Sequence, residues 1–235
     1  MHEIVISIII LLVILNLYFM SQNTISNFEN SINDIDAFIY INLEEKEDRK
    51  TLLLNEFNKL GIANNKIRKV SGVRIAKNGH KGCIQSHILA LQMAKLNKWD
   101  KVAIFEDDAR LNVEPAIFIS MVNKAININK WDMIILHGAN QKEKESIDND
   151  LYYLKHSTQS TGYIIKSSYY DKLLNLFIHC NDMMSKDNWE IPGSWEGHAL
   201  DQMWNKLVEK DNWIGFKTNL LKQEGESSIN GDQKE

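Results

Sequence analysis

The amino-acid sequence predicts an α/β fold in which helices flank a single, mostly parallel central sheet. Two observations lead to this prediction. Short apolar runs rich in Ile, Val, Phe and Tyr, which are typical of buried strands, recur along the chain. Between them lie segments whose apolar residues fall on one face of a helix. Strands that alternate with helices in this way indicate a parallel sheet.

The first predicted elements are a strand, a helix and a second strand. The run AFIYINL, residues 37–43, predicts a buried strand. The next segment predicts a helix that Asp48 caps and Gly61 ends, because glycine readily takes the conformation that closes a helix. A short second strand is expected over residues 67–70.

A glycine-containing loop precedes the second predicted helix. We expect this helix to follow Gly82, which puts Ser86 and His87 in its first turn. A first-turn serine commonly satisfies a free backbone N–H, and a lone histidine is commonly structural. The two cysteines of the chain, Cys83 and Cys180, lie in no metal-ligand spacing, and we interpret both as buried thiols.

Three more strands complete the predicted sheet. The runs KVAIF, WDMIILHG and TGYIIK predict strands over residues 101–105, 131–138 and 161–166, and a helix follows the last of them. Parallel sheets bind ligands at the carboxyl ends of their strands. The carboxyl end of the third strand, residues 101–105, is therefore the first place to expect a functional site.

Three consecutive carboxylates, Glu106, Asp107 and Asp108, follow the third predicted strand. Like charges this close repel one another unless a cation joins them. Carboxylate oxygens suit Mg²⁺ or Mn²⁺, with phosphate oxygens completing the shell. In an extended chain Glu106 and Asp108 point to the same side, which favours Glu106 over Asp107 as the second ligand without deciding between them.

Two other interpretations of the acidic run are open. The acids could belong to a solvated loop and cap the helix that follows. They could also be the paired acids of a phosphoacceptor receiver domain. In a receiver the pair follows the first strand and a later strand supplies a lysine; here two strands precede the acids, and IILHG supplies no lysine.

Length, charge and the N-terminus limit the class of protein. The chain has 235 residues and a net charge of −4, which argues against nucleic-acid binding. Residues 4–20 are apolar and uncharged and predict a single-pass membrane anchor, with a cleaved signal peptide as the alternative. The side of the membrane is not predicted, because no Lys or Arg precedes Lys46. The predicted organisation is an anchor over residues 1–20, a polar stem over 21–36, a globular domain over 37–230 and a polar tail over 231–235.

Six motifs follow one another along the domain: YINLEEKEDRK, KGCIQSH, FEDDA, STQSTGYIIKSSYYDKLL, LDQMW and KQEGESSI. In this order they resemble the motifs of glycosyltransferase family 25. The resemblance implies a GT-A-type fold, a UDP-sugar donor, Mn²⁺ or Mg²⁺, and transfer with inversion to a glycan or glycoconjugate. The chain departs from several GT-A enzymes in having Gln223, not a late histidine, near its end.

The resemblance also implies roles for individual residues. The metal ligands would be Asp108 and Glu106; the donor nucleotide would contact Asn42, Arg49, Ser86, His87, Glu106 and Asp107; and the base would be Asp201, with Glu196 in reserve. Sugars stack on indoles, so Trp189, Trp195 and Trp204 could form an acceptor wall.

The expected activity is transfer of a hexose, galactose or glucose, from a UDP-sugar to a glycan or glycoconjugate. The alternative is an inactive nucleotide-sugar-binding or glycan-binding protein with the same fold. Retention of all three carboxylates argues against loss of activity, and the missing histidine argues for it.

Overall fold

The structure, a computed structural model, describes residues 31–76, 78–186 and 196–224. A six-stranded central sheet has the strand order β2-β1-β3-β6-β5-β7, and a second sheet pairs β4 with β8. The strands are β1 (Ala37–Asn42), β2 (Ile67–Ser71), β3 (Lys101–Glu106), β4 (Ala109–Leu111), β5 (Met133–Ser146), β6 (Leu151–Lys166), β7 (Trp213–Phe216) and β8 (Leu221–Gln223).

The predicted sheet, mostly parallel and flanked by helices, is confirmed. β1 pairs in parallel with both β2 and β3, and β5 pairs in parallel with β7. β6 runs antiparallel to its neighbours β3, β5 and β7, so five of the six strands point the same way. The carboxyl ends of β1 and β3 consequently meet at one edge, where Ile41 lies opposite Glu106.

The fourth and fifth strands are much longer than predicted. Predicted over residues 131–138 and 161–166, they form a long antiparallel hairpin, β5 and β6, with several register shifts along β5. The added half of β5 is polar and mostly exposed, so it has no apolar alternation to reveal it in the sequence. Pairing with β6 holds it in the sheet.

Four long helices cover the sheet: α1 (Glu47–Lys59), α2 (Gly79–Leu96), α3 (Pro115–Ile126) and α4 (Tyr170–Lys186). Two short helices, α5 (Leu200–Met203) and α6 (Asn205–Val208), precede β7. Asp48 does not cap α1, because Lys46 occupies the N-cap and Asp48 lies in the first turn. Gly61 closes this segment as predicted, with φ of 68°.

The sheet has a hydrophobic core on each face. Alternate side chains of β1 divide between the two: Ile39 and Ile41 pack with α2 and α4, and Phe38 and Tyr40 pack with α1 and α3. Side chains of this kind contribute about 1.5–3 kcal/mol each when fully buried. The two cores fix β1 and β3 from both sides, and so fix the edge where the carboxylates lie.

Part of the predicted stem belongs to the folded domain. Ile32 and Ile35 are buried in the core, and the backbone N–H of Ile32 donates to Asn123 Oδ1 at 2.6 Å. The domain therefore begins before residue 37, because these side chains cover the edge of the core beside α3. None of the helices in the described ranges has the length and apolar character needed to cross a membrane. The predicted anchor lies outside those ranges.

Candidate active site

The three carboxylates lie where β3 ends. Glu106 is the last residue of β3, and Asp107 and Asp108 form a turn that leads into β4. The alternation expected of an extended chain therefore does not hold beyond Glu106. The turn sends Glu106 toward α2 and sends Asp107 and Asp108 toward α1 and β8.

A half-buried arginine, Arg49, joins the two aspartates. Arg49 Nη1 lies 3.3 Å from Asp107 Oδ1 and 3.7 Å from Asp108 Oδ2. Asn42, at the end of β1, donates from Nδ2 to Asp107 Oδ2 at 2.9 Å. The predicted residues Asn42, Arg49, Asp107 and Asp108 are therefore brought together, and Arg49 is the protein's own cation for the acidic turn. Burial nevertheless raises the pKa of Asp107, with Asn42 and Arg49 opposing the shift.

Asp108 is the carboxylate with the most perturbed ionisation. Burial, followed by repulsion from Glu106, raises its pKa to about 7. Gln223 on β8 donates from Nε2 to Asp108 Oδ2 at 3.0 Å. Asp108 Oδ1 is buried and accepts no hydrogen bond from the described residues. A buried carboxylate oxygen with no donor is an available ligand for a cation or a polar substrate group.

Glu106 belongs to a different set of contacts. Its Oε1 lies 3.3 Å from His87 Nε2 and accepts a hydrogen bond from the hydroxyl of Ser160 on β6. Burial favours its neutral form, but the contacts with His87 and Ser160 outweigh burial and lower the pKa of Glu106. The contacts with His87 and Ser160 therefore stabilise the ionised form of Glu106.

The helix that carries Ser86 and His87 begins earlier than predicted. α2 starts at Gly79 with Asn78 as its cap, because the Asn78 side chain accepts from the Lys81 N–H at 3.0 Å. Ser86 and His87 therefore lie in later turns. His87 is fully buried and contributes to the site, whereas Ser86 has a structural contact.

Ser86 ties α2 to the loop after β2. Its hydroxyl accepts from the backbone N–H of Val73 and donates to the carbonyl of Gly82, both at 2.8 Å. A Cβ at Gly82 would lie 2.3 Å from the carbonyl oxygen of Val73, so only glycine allows this approach. The hydrogen bonds of Ser86 therefore hold the loop after β2 against α2. They use the Ser86 hydroxyl for structure and not for binding a ligand.

Two neighbouring cavities meet at the carboxylates. Arg49, His87, Asp107 and Asp108 line the first, together with loop residues 72–75. Asp201, Gln159, Ser160 and Thr161 line the second. The residues common to both are Cys83, Glu106 and Gln223. Glu106 therefore lies between the first cavity, which is lined by the guanidinium of Arg49, and the second cavity, which is lined by the carboxylate of Asp201.

Asp201 is positioned at the second cavity by the backbone of β6. Its Oδ2 accepts from the N–H of Gln159 at 2.9 Å. Gln159 has φ of 70°, which is unfavourable for a residue with a side chain, and its Oε1 lies 2.6 Å from His137 Nε2. Burial raises the pKa of Asp201, with the Gln159 N–H opposing the shift.

The remaining predicted site residues do not join this cluster. Trp204 is fully buried, packs against Tyr163 and Trp213, and donates from Nε1 to the carbonyl of Ser157, so it cannot be part of an acceptor wall. The side chain of Glu196, with Trp189 and Trp195, lies outside the described residues.

Four site residues were not predicted from the sequence. Gln159 and Ser160 are contributed by β6, Tyr163 contacts His87 Nδ1 at 2.9 Å, and Gln223 contacts Asp108. Two sequence signals pointed toward them: the small-residue run STQSTG, which marks a strand with room for a ligand beside it, and Gln223 in place of a late histidine. Cys83 was interpreted as a buried thiol, yet it is only half-buried and lines both cavities.

Arg49→Met is expected to destabilise the fold by about 3 kcal/mol at pH 7, because the variant leaves two buried aspartates without their cation. The loss should be smaller at pH 5, where Asp108, with its pKa of about 7, is protonated. Urea unfolding at both pH values measures the difference. Arg68→Met is the matched control, with a loss below about 1 kcal/mol because Arg68, among the described residues, pairs with no carboxylate and contacts a carbonyl and the face of Trp99. Equal losses at pH 5 and pH 7 would show that Arg49 does not neutralise Asp108.

The solved structures that match this chain are distant from it in sequence. A glycosyltransferase involved in the glycosylation of the major capsid of PBCV-1 is 9% identical, with TM-score 0.43, covering 84% of this chain and 96% of that one. Mannose-1-phosphate geranyltransferase from Thermus thermophilus is 9% identical, with TM-score 0.45 and coverage of 81% and 76%. A UDP-glucose pyrophosphorylase complexed with UDP-glucose is 12% identical, with TM-score 0.41 and coverage of 80% and 74%.

The sequence comparison is more specific. No curated protein matched the chain. Residues 63–189, more than half of the chain, match the family described as glycosyltransferase family 25 (LPS biosynthesis protein). The matched range contains α2, with His87, and the carboxylates at the end of β3. The chain therefore belongs to glycosyltransferase family 25.

Proposed function

We propose that this glycosyltransferase transfers a hexose, galactose or glucose, from a UDP-sugar to a glycan or glycoconjugate with inversion, and that it depends on Mn²⁺ or Mg²⁺. The observation that supports the proposal is the meeting of two cavities at Glu106, with Asp108 and Arg49 in one and Asp201 in the other. The donor would occupy the first cavity and the acceptor the second. The GT-A-type fold is part of the same proposal.

The residues of the first cavity suit a nucleoside diphosphate. Arg49 presents a guanidinium that can pair with phosphate oxygens. Asp108 would hold the metal through its unpartnered Oδ1, and Glu106 would contribute the oxygen that His87 and Ser160 do not use. The oxygen donors fit Mn²⁺ or Mg²⁺, which when bound would supply Lewis-acid stabilisation of the leaving diphosphate.

Asp201 is the proposed base in the second cavity. Inversion requires a group that removes the proton from the acceptor hydroxyl as it attacks the anomeric carbon. One oxygen of Asp201 is held by the Gln159 N–H, which fixes the carboxylate while leaving its other oxygen to accept the proton. Because Asp201 and Asp108 lie in different cavities, attack and departure can occur on opposite sides of the sugar. Glu196 stays the reserve candidate.

Membrane attachment is a second element of the proposal. The apolar segment 4–20 is proposed to be a single-pass anchor that keeps the domain near a membrane-bound or surface glycan. The segment's lack of charge is the observation that favours it.

Turnover of UDP-galactose and UDP-glucose is the direct test. We expect UDP release that requires Mn²⁺ or Mg²⁺, is abolished by EDTA and is restored by added metal. The same preparation should bind UDP in a calorimeter. Binding of UDP without hydrolysis or transfer of any UDP-sugar would contradict the proposed enzyme and favour the inactive binding protein.

A further inference from the structure

We propose that Cys83, His87 and Glu106 form a binding site for Zn²⁺, which shares only Glu106 with the proposed Mn²⁺ site at Asp108. The three potential ligand atoms, a sulfur, a ring nitrogen and a carboxylate oxygen, all lie within 4.8 Å of one another. Neither the sequence spacing nor the family match points to a zinc ion there. The proposal does not depend on the proposed sugar donor or acceptor.

Two of the ligands come from one face of a helix. Cys83 and His87 are four residues apart on α2, so their side chains lie one above the other. Glu106, at the end of β3, completes the group from the sheet: its Oε1 lies 3.3 Å from His87 Nε2 and 4.0 Å from Cys83 Sγ. These separations are close to those between ligands around a tetrahedral zinc ion, whose bonds are about 2.0–2.3 Å long.

The surroundings of the three ligands match those of known metal sites. A metal-bound histidine usually donates its other ring N–H to a fixed oxygen. His87 Nδ1 lies 2.9 Å from the hydroxyl of Tyr163, which is itself fully buried. That hydroxyl can accept from Nδ1–H, which leaves the lone pair on Nε2 for the ion. The Ser160 hydroxyl donates a hydrogen bond to Glu106 Oε1 and so holds the carboxylate in place.

The site has an open side. Cys83, His87 and Glu106 all line the first cavity, so an ion held by them would keep at least one coordination position for water or a phosphate oxygen. On binding, the Cys83 thiol loses its proton to solvent and a sulfur–zinc bond forms. The thiolate and Glu106 then balance the two positive charges of the ion, so the buried site becomes neutral.

The ligand types decide which ion binds. A set of sulfur, nitrogen and oxygen suits Zn²⁺ and Co²⁺, whereas Mg²⁺ and Mn²⁺ prefer oxygen ligands only. Mg²⁺ in large excess should therefore leave this site filled with Zn²⁺. The Asp108 oxygens, which are hard ligands, should accept Mg²⁺ or Mn²⁺ as well.

Co²⁺ is the probe for the test, because a cobalt–thiolate bond gives a charge-transfer absorption that oxygen ligands do not. Reduced, metal-free full-length protein is titrated with Co²⁺ in detergent and read by absorption. We expect one equivalent to produce the sulfur-to-cobalt band and the visible bands of a four-coordinate ion. Zn²⁺ should abolish these bands by displacement, and Mg²⁺ should not.

Variants assign the band to the three residues. Cys83→Ser should remove the charge-transfer band and weaken Zn²⁺ binding at least about 100-fold, more than the loss of a supporting contact would. His87→Gln should weaken binding similarly and serves if Cys83→Ser fails to fold. Cys180→Ser is the matched control, since Cys180 is buried among other core residues and should leave the band unchanged. Asp108→Asn should also keep the band, which separates this site from the proposed Mn²⁺ site.

A band that survives Cys83→Ser would overturn the proposal, as would a cobalt spectrum without any sulfur contribution. Displacement of Co²⁺ by Mg²⁺ would overturn it as well. A lack of sugar transfer in the same preparation would count against the proposed function only, because the absorption reports the ion and not the reaction.

Discussion

Asp108→Asn is expected to lower sugar transfer by about 100-fold or more and to leave the fold at least as stable as the parent protein at pH 7. The loss of activity follows because an amide cannot supply the charge that stabilises a leaving diphosphate through the proposed metal. The gain in stability follows because Asp108 is buried, is repelled by Glu106 and has a pKa raised to about 7. Transfer assays and urea unfolding measure the two effects separately.

The pH dependence gives this prediction a second readout. The pKa of Asp108 is higher in the folded chain than the usual aspartate value, so the folded state binds more protons between about pH 4 and pH 7. The contribution of Asp108 to stability is therefore complete below pH 4 and is lost as the pH rises through 7. The asparagine variant should show a smaller loss over that interval.

An exposed acid provides the matched control for Asp108. Asp171→Asn on α4 makes the same chemical change at a carboxylate with a side chain 75% exposed, and should change neither activity nor stability measurably. Full transfer by the Asp108 variant would reject its role. A fall in stability at pH 7 would show that the carboxylate is better satisfied in the folded chain than its unpartnered oxygen indicates.

Asp201→Asn is expected to reduce the turnover number by a factor of about 10²–10⁴, the usual contribution of a general base. The asparagine oxygen can still accept from the Gln159 N–H, so the backbone of β6 should keep its conformation. UDP binding should be unchanged, because Asp201 lines the second cavity and not the first. Steady-state kinetics and UDP calorimetry test the two statements.

The pH profile identifies a base more specifically than the loss of rate does. Burial raises the pKa of Asp201, so the acidic limb of kcat/KM should lie above the pH expected for an ordinary aspartate. Asp182→Asn, an exposed substitution on α4, should leave both the rate and the profile unchanged. Retention of the acidic limb in the Asp201 variant would assign the base to another residue, with Glu196 the next to test.

The sequence was sufficient for the features that depend on local pattern. The strands β1 and β3 are buried apolar runs, and a parallel sheet necessarily brings their carboxyl ends together. That geometry predicted a site at the carboxylates, and the family resemblance added Asn42 and Arg49, which the structure brings to the same place. The sequence did not show which of the three acids contacts which partner, because a tight turn after Glu106 interrupts the alternation of side chains expected of a strand.

The features that were not predicted depend on contacts between residues that lie far apart in the sequence. Gln223 reaches Asp108 only because β8 pairs with β4. Ser160 contacts Glu106, and Tyr163 contacts His87, because β6 pairs with β3. The order of the strands along the sequence does not reveal that these two strands are neighbours in the sheet. The start of α2 was misplaced because the cap, Asn78, lies beside glycines that also resemble a loop.

The first described residues join the domain far from the edge where the three carboxylates lie. Asp36 receives hydrogen bonds from the N–H groups of Asp100 and Lys101, at the amino end of β3, whereas Glu106 lies at the other end. At about 3.3 Å per residue these ends are about 17 Å apart. If residues 4–20 tether the protein to a bilayer, the tether reaches the domain at the edge opposite the three carboxylates.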